Sequence, residues 1–342
     1  MSAEAIPATS RELRLVSRPA DRLTQENFEL VEVPTPTPGD GEVLVRNEWM
    51  FLGSVYRDLM NEETALPIPN YEIGKTPWCT TVGTVVVSNN EDLPVGTFIL
   101  HYEGWREWAV VSPGFGVKKL DRSLLPGAEY YLANGPTAWR GIVEMADAGE
   151  GDVVFVSGAT GAVGTLAGQI AKARGAKLVI GSTGSKEKVD FLLNEAGFDA
   201  AFDYHDGPVL DRLRELAPDG ITVCFDNVGG DQFEAAVEHA QPGARFALCG
   251  ALSGQIGGTD GDHPRLALMR AIAKQLTFRG FATFDTEEQL AAWNQTFSTW
   301  LNEGKISFAH TVVKGGVPVA AEAFIALLDK KYAGTVVLQL ND

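Results

Sequence analysis

Three glycines at intervals of three, Gly158, Gly161 and Gly164 in VSGATGAVG, follow the apolar run VVFV and lead into the alanine-rich stretch AVGTLAGQIAKA, whose third residue is Gly164. In a strand, turn and helix of this order each glycine has its own task. The first makes a tight turn, the second lets the backbone approach a pyrophosphate closely, and the third lets the helix lie against the sheet with its N-terminus facing the anion. The spacing is GxxGxxG rather than GxGxxG, and a second apolar run, KLVIGS, follows at the distance a βαβ unit requires. Such a loop is built to hold a dinucleotide.

The tip of the second strand discriminates between dinucleotides, because an acid there would bind the 2′-hydroxyl of the adenosine ribose. The sequence reads GSTGSKEK: no acid at the tip, then the hydroxyls of Ser182, Thr183 and Ser185, then Lys186 and Lys188. A lysine can neutralise a 2′-phosphate. The expected cofactor is therefore NADP(H), although Glu187 weakens the local positive field.

The elements that must carry this loop follow from patterning. From Arg11 to about Lys118, short β-rich runs (VLVRN, TVGTVVVS, TFILH, REWAVVS) are broken by PTPTPGDGE, ALPIPN and SPGFG, the texture of a barrel-like β domain. From Gly151 strands and helices alternate, which predicts an α/β doubly wound parallel sheet. A long amphipathic helix, TEEQLAAWNQTFSTWLNEG, comes next. The chain ends in HTVV, a helix and TVVLQL, runs that resemble the first region. The expected division is 1–134 and 306–342 as one catalytic β domain, with 135–305 inserted as the nucleotide-binding domain.

Composition excludes other classes. The 342 residues are 45% apolar and 21% charged, with a net charge of −17 and no basic stripe, so nucleic acid is not an expected partner. No apolar run approaches membrane-spanning length and the N-terminus lacks the layout of a secretory signal, so no membrane partner and a cytoplasmic location are expected. Cys79, Cys224 and Cys249 are far apart and form no metal-binding cluster; each reads as a small hydrophobe. His101, in LHYEGWREW, reads as structural.

The ordered motifs GATGAVG, GSKEKV, GFDAAFDY, FDNVGG, ALCGALSG, GKI and AFIALL resemble the zinc-independent branch of the medium-chain dehydrogenase/reductase superfamily, in particular its alkenal, leukotriene-hydroxydehydrogenase and prostaglandin reductases. The resemblance covers most of the chain and is strongest from Gly135 to Ser253. It implies a Rossmann domain inserted in a GroES-like β-barrel domain, NADP(H), a small α,β-unsaturated carbonyl substrate and a homodimer. By motif position it implies that Thr160 and Gly161, Ala162, Val163 and Gly164 meet the pyrophosphate, and that Ser185, Lys188 and Tyr204 grip the adenosine phosphate end. Asn227, Cys249, Gly250, Phe281, Ala282 and Thr283 would line the cofactor towards the nicotinamide. Thr137 joins the cofactor set, as does Tyr332, where the family tends to carry Asn.

Zinc-dependent relatives carry a cysteine in a segment similar to GSVYRDL; this chain has Val55 there, which cannot ligate metal, so no metal is expected. Without a Lewis acid on an alcohol oxygen, hydride addition to a conjugated C=C is the chemistry implied, with negative charge developing on the carbonyl oxygen. Tyr56 and Arg57 stand as candidate donors to that oxygen. Gln255 lies near the place of the tyrosine that the family carries after GALS. The alternatives are a quinone reductase, a tailoring enoyl reductase or dehydrogenase of a specialised metabolite, and a non-catalytic NADPH-binding protein.

Overall fold

The computed structural model describes residues 5–20, 22–63, 68–114, 116–253, 263–283 and 285–341. The chain divides into two compact units, Met1–Ala133 with His310–Asp342, and Asn134–Ala309. The second boundary lies a few residues beyond the one read from the sequence, because Gln169 binds the backbone of Ser307: its Oε1 accepts the Ser307 N–H at 2.7 Å.

In the first unit, β1 (Thr9–Leu15) and β2 (Phe28–Pro34) form an antiparallel ribbon. The main sheet is mostly antiparallel and is built on the long strand β3 (Val43–Leu52). One edge of β3 pairs with β4 (Thr81–Ser88), which leads on to β5 (Phe98–His101). The other edge is shared: the first half of β3 takes β6 (Trp108–Val111) and the second half takes the C-terminal strand Thr335–Gln339, itself parallel to His310–Val313. With both edges paired, β3 is an interior strand, and Val43, Val45, Met50 and Leu52 along it are fully buried. A short helix, α1 (Val55–Asp58), follows β3, and strand β7 (Lys118–Lys119) closes the order beyond β5.

The second unit opens with α2 (Gly135–Trp139) and carries a six-stranded sheet. Its strands are β8 (Val153–Val156), β9 (Leu178–Thr183), β10 (Ala200–Asp203), β11 (Ile221–Asp226), β12 (Ala240–Leu248) and β13 (Thr277–Gly280). The spatial order is β10-β9-β8-β11-β12-β13, and every pair is parallel. This is the doubly wound order, and it reverses between β8 and β11. Strands buried on both faces need continuous apolar runs, and Phe155, Ile180, Phe225 and Phe246 are accordingly at most 1% exposed. The helices that complete the crossovers are α3 (Ala162–Ala173), α4 (Lys186–Asn194), α5 (Val209–Leu216) and α6 (Gly230–His239). The amphipathic stretch forms the helix Glu287–Asn302, started by a reciprocal Thr286/Gln289 capping box.

Candidate functional site

The glycine loop joins β8 to α3 at the reversal of strand order, where open α/β sheets bind ligands. Gly158 has φ +59°, a left-handed conformation that glycine adopts without strain. A Cβ on Gly164 would lie 2.6 Å from the Gly158 oxygen and 2.8 Å from the Ala159 Cα, so only glycine lets α3 approach the loop this closely. At Gly161, the N-cap of α3, an added Cβ would meet only the Gly158 oxygen, at 3.5 Å, leaving that face of the backbone open. Gly161 has no side-chain cap, so the helix N-terminus keeps its capacity to bind an anion. These features fit a pyrophosphate, and Ala162 and Val163 form the first turn behind it.

Around the loop, polar side chains brace one another. Thr160 and Thr183 share a buried hydroxyl–hydroxyl bond of 2.9 Å, which fixes the loop to the tip of β9. Ser182 donates to the side-chain oxygen of Gln232 in α6. At the reversal point, Ser157 Oγ donates to Asp226 Oδ1 and accepts the Asn227 N–H at 2.9 Å. Asp226 Oδ1 also accepts the N–H groups of Val228 and Gly229. Asn227 is buried, and its side-chain amide donates to the Ser157 carbonyl at 2.8 Å. The Asp226 carbonyl accepts the N–H groups of Cys249 and Gly250, which sets the end of β12 beside β11. Gly250 sits so close that a Cβ there would lie 3.0 Å from the Asn227 oxygen. Burial and the nearby Asp226 carboxylate push the Cys249 thiol up to about 12, so it is protonated at neutral pH and is no nucleophile.

At the tip of β9 the sequence-derived residues take two kinds of place. Ser185 is the N-cap of α4 and accepts the Lys188 N–H at 3.3 Å, so its hydroxyl is engaged in the cap. Lys188 occupies the first turn of α4, and the Tyr204 ring lies over Gly184. Beyond β13, Phe281 packs edge-on against Phe225, Ala282 accepts a bond from Arg140 at its carbonyl, and the buried Thr283 hydroxyl has no partner among the described residues. An orphaned buried hydroxyl fits a position that a polar ligand completes. Thr137 lies half-buried on α2. The second unit thus gathers the loop, the β9 tip and the ends of β11 and β12 along one edge of its sheet, the carboxyl ends of parallel strands.

The first unit holds the other candidates. Tyr56 is 3% exposed within a chain of edge-on aromatic contacts to Phe51 and Trp78. Its oxygen accepts the Thr80 N–H at 3.0 Å, and its own hydrogen faces Thr80 Oγ1 at 3.4 Å. Burial raises the phenol far above its ordinary range. Arg57 donates to Asn61 Oδ1 at 2.6 Å, and burial pushes its neighbour Asp58 up to about 6 against the opposing pull of Arg57. Tyr332 lies apart from these, lining a hollow of about 300 Å³ with Gln25, Lys314 and Glu322. His101 is buried, and its Nδ1 accepts the Glu103 N–H; burial and then Arg106 push it down to about 3. Gln255 lies outside the described residues.

Ser157, Asp226, Gln232, Asp203 and His205 were not singled out by the sequence. A hint was present for Asp226, in the same DNVGG motif as Asn227. The others gain their meaning from strand register.

A parallel sheet of this order with a glycine loop at its reversal defines a dinucleotide-binding α/β unit, here joined to a mostly antiparallel β unit. Residues 11–120 match a family described as the N-terminal domain of oxidoreductase, and residues 162–299 one described as zinc-binding dehydrogenase. The chain belongs to the medium-chain dehydrogenase/reductase superfamily, in the zinc-independent branch of the alkenal and prostaglandin reductases. It is 32% identical to the NADPH-dependent curcumin reductase of Escherichia coli (strain K12), over 95% of each chain. With the NADP(+)-dependent 2-alkenal reductase of Nicotiana tabacum it shares 30% identity, over 89% of this chain and 88% of that one. The crystal structure of CurA from Vibrio vulnificus in complex with NADPH superposes with a TM-score of 0.89 and 32% identity, over 97% of this chain and 99% of that one.

The zinc in the second family's description finds no matching donors: among the described residues no group of three or more His, Cys, Asp or Glu is placed to hold a metal. Likewise, no helix among them is long and apolar enough to cross a membrane.

Proposed function

We propose that this chain is an NADPH-dependent reductase of the C=C bond of small α,β-unsaturated carbonyl compounds. The observation that carries the cofactor is the tip of β9: it ends in Ser182 and Thr183 without an acid, and Lys188 follows in the first turn of α4. The neighbouring acid, Asp203, is held by His205 at 2.8 Å. The substrate class rests on the curcumin and 2-alkenal reductases, which match along nearly the whole chain.

When bound, NADPH supplies the hydride that adds to the β-carbon. The protein's part is to stabilise the charge that develops on the carbonyl oxygen. Tyr56 is assigned as one donor, because a 3.4 Å bond to Thr80 holds its hydrogen weakly compared with the usual O–H···O distance of about 2.7–2.8 Å. So strongly raised a phenol keeps its proton at neutral pH and donates a hydrogen bond to the developing enolate oxygen, while the α-carbon takes up a proton of solvent origin. Arg57 and Gln255 complete the proposed donor set. The domain roles follow: 135–305 binds the cofactor, and 1–134 with 306–342 supplies the donors.

The enzyme acts as a homodimer in the cytoplasm. Support for the dimer is the helix Leu268–Ala273 beside the edge strand β13, where Leu268, Met269 and Ile272 are 64–73% exposed. Support for the compartment is three cysteines, all unpaired.

The test is NADPH oxidation over a panel of enones, enals and quinones, with deuteride-labelled cofactor and product analysis. Label on the β-carbon of a saturated ketone or aldehyde is the expected result. Turnover of quinones alone would replace the proposed substrate class, and no turnover at all would favour a binding protein.

A further inference from the structure

We propose that His205, oriented by Asp203, is a proton-dependent cation for the 2′-phosphate of the cofactor, so that the preference for NADP(H) over NAD(H) strengthens as pH falls. This rests on the NADP(H) reading above and assigns a residue beyond it. A Cβ built on Gly184, the residue after β9, would meet Tyr204 Oη at 3.3 Å and His205 Cε1 at 3.4 Å, so both rings cover the strand tip at which the 2′-substituent is read. The two rings lie 4.1 Å apart, tilted by 39°. Asp203 Oδ1 receives both the His205 backbone N–H at 3.0 Å and His205 Nδ1 at 2.8 Å. The carboxylate therefore fixes the hydrogen on Nδ1. Nε2, bonded to the Cε1 that approaches Gly184, has no hydrogen-bond partner among the described residues.

In the neutral ring that Nε2 carries a lone pair and repels phosphate oxygens; in the imidazolium it carries a hydrogen and donates to them. Phosphate binding at this place therefore takes up a proton. The surrounding charges frame the effect. Lys186, Glu187 and Lys188 form the first turn of α4, which follows Gly184, Asp206 lies on the same turn as His205, and Asp231, Glu234, Glu238 and Arg265 line the hollow that Tyr204 and His205 border. Glu187 is the adverse member: its carboxylate takes the Ser185 hydroxyl and a backbone N–H at the start of α4, and a cation at 205 offsets it.

The experiment is calorimetric titration of the full-length protein with 2′,5′-ADP and with 5′-AMP at pH 6, 7 and 8, in buffers of different ionisation enthalpy. The ligand's own 2′-phosphate titrates in this range, so the wild type is compared with His205→Gln at each pH. At pH 6 the wild type is expected to bind 2′,5′-ADP about fivefold more tightly than the variant and to take up additional protons, with both differences fading by pH 8. His205→Lys is expected to keep the tighter binding at pH 8, and 5′-AMP to bind alike throughout. Equal affinities and equal proton uptake for wild type and His205→Gln at pH 6 would overturn the assignment while leaving the NADP(H) reading intact. Failure of the wild type to prefer 2′,5′-ADP over 5′-AMP at any pH would overturn both.

Discussion

The Ser157 hydroxyl and the Asp226 carboxylate, 2.6 Å apart, join the ends of β8 and β11 where the strand order of the sheet reverses. Each then turns to the backbone: Ser157 Oγ accepts from Asn227 and Val228, and Asp226 Oδ1 from Val228 and Gly229. One small network thus shapes both loops that border the cofactor edge.

Ser157→Ala removes a donor from a buried carboxylate and an acceptor from two N–H groups. The expected loss of stability is about 2–3 kcal/mol, read by denaturant titration. NADPH affinity should fall as well, because Asn227 and the glycine loop lose their common anchor. Asp226→Asn should be milder, since its amide oxygen still accepts. Equal stability of Ser157→Ala and wild type would show that water replaces the hydroxyl.

This network also marks where sequence reading ends. The glycine loop, the missing acid of β9 and the capped helix Glu287–Asn302 are local patterns, set by residues a few positions apart, and each lies in the element its pattern implies. Ser157 and Asp226 are 69 residues apart and meet only because β8 and β11 are neighbours in the sheet. His205 reads as an ordinary polar residue until Asp203 and Gly184 are set beside it by the register of β9 with β10, in which Thr183 faces Asp203. Ser185 shows the opposite case: a hydroxyl assigned to a phosphate is engaged in capping α4, as serine in that position commonly is.

Lys188→Ala should weaken NADPH binding and leave NADH binding nearly unchanged. One charge-assisted contact to the 2′-phosphate corresponds to roughly 1.5–3 kcal/mol, or a rise in Kd of about ten- to a hundredfold. Fluorescence titration with each cofactor measures it. Equal losses for both would place Lys188 away from the 2′-phosphate.

His101 predicts an acid weakness. Its folded value of about 3 lies below the ordinary 6.5, so at pH below 6.5 the unfolded chain binds a proton that the folded chain does not. The stabilisation is therefore complete above pH 6.5 and is lost as pH falls towards 3. The slope, not the baseline, carries the test, because a replacement at a buried site also alters packing. His101→Leu should lose less stability than wild type between pH 7 and 4, by on the order of a few kcal/mol in urea titrations at each pH. Parallel pH profiles for the two proteins would refute it.

Tyr56 has a structural role in the first unit, and the chemical role proposed for it rests on the same hydroxyl, so a single atom tests both. Removing the hydroxyl in Tyr56→Phe leaves the Thr80 N–H without its acceptor, at an expected cost of about 1–2 kcal/mol in stability. The aromatic contacts to Phe51 and Trp78 survive, so the protein should still fold. If the phenol also donates to the developing enolate oxygen, single-turnover hydride transfer should slow by about 10²-fold while NADPH affinity is kept. Gln255→Ala should slow it less, since a neutral amide orients a carbonyl but is a poor proton source. Solvent deuterium should enter the α-carbon in Tyr56→Phe as in wild type, because the phenol exchanges with solvent and either donor delivers the same label; the label checks that a solvent-derived proton completes the addition, and the rate reads the hydroxyl's part. A variant that loses stability yet transfers hydride at the wild-type rate would confine Tyr56 to the framework and leave Arg57 as the donor on α1.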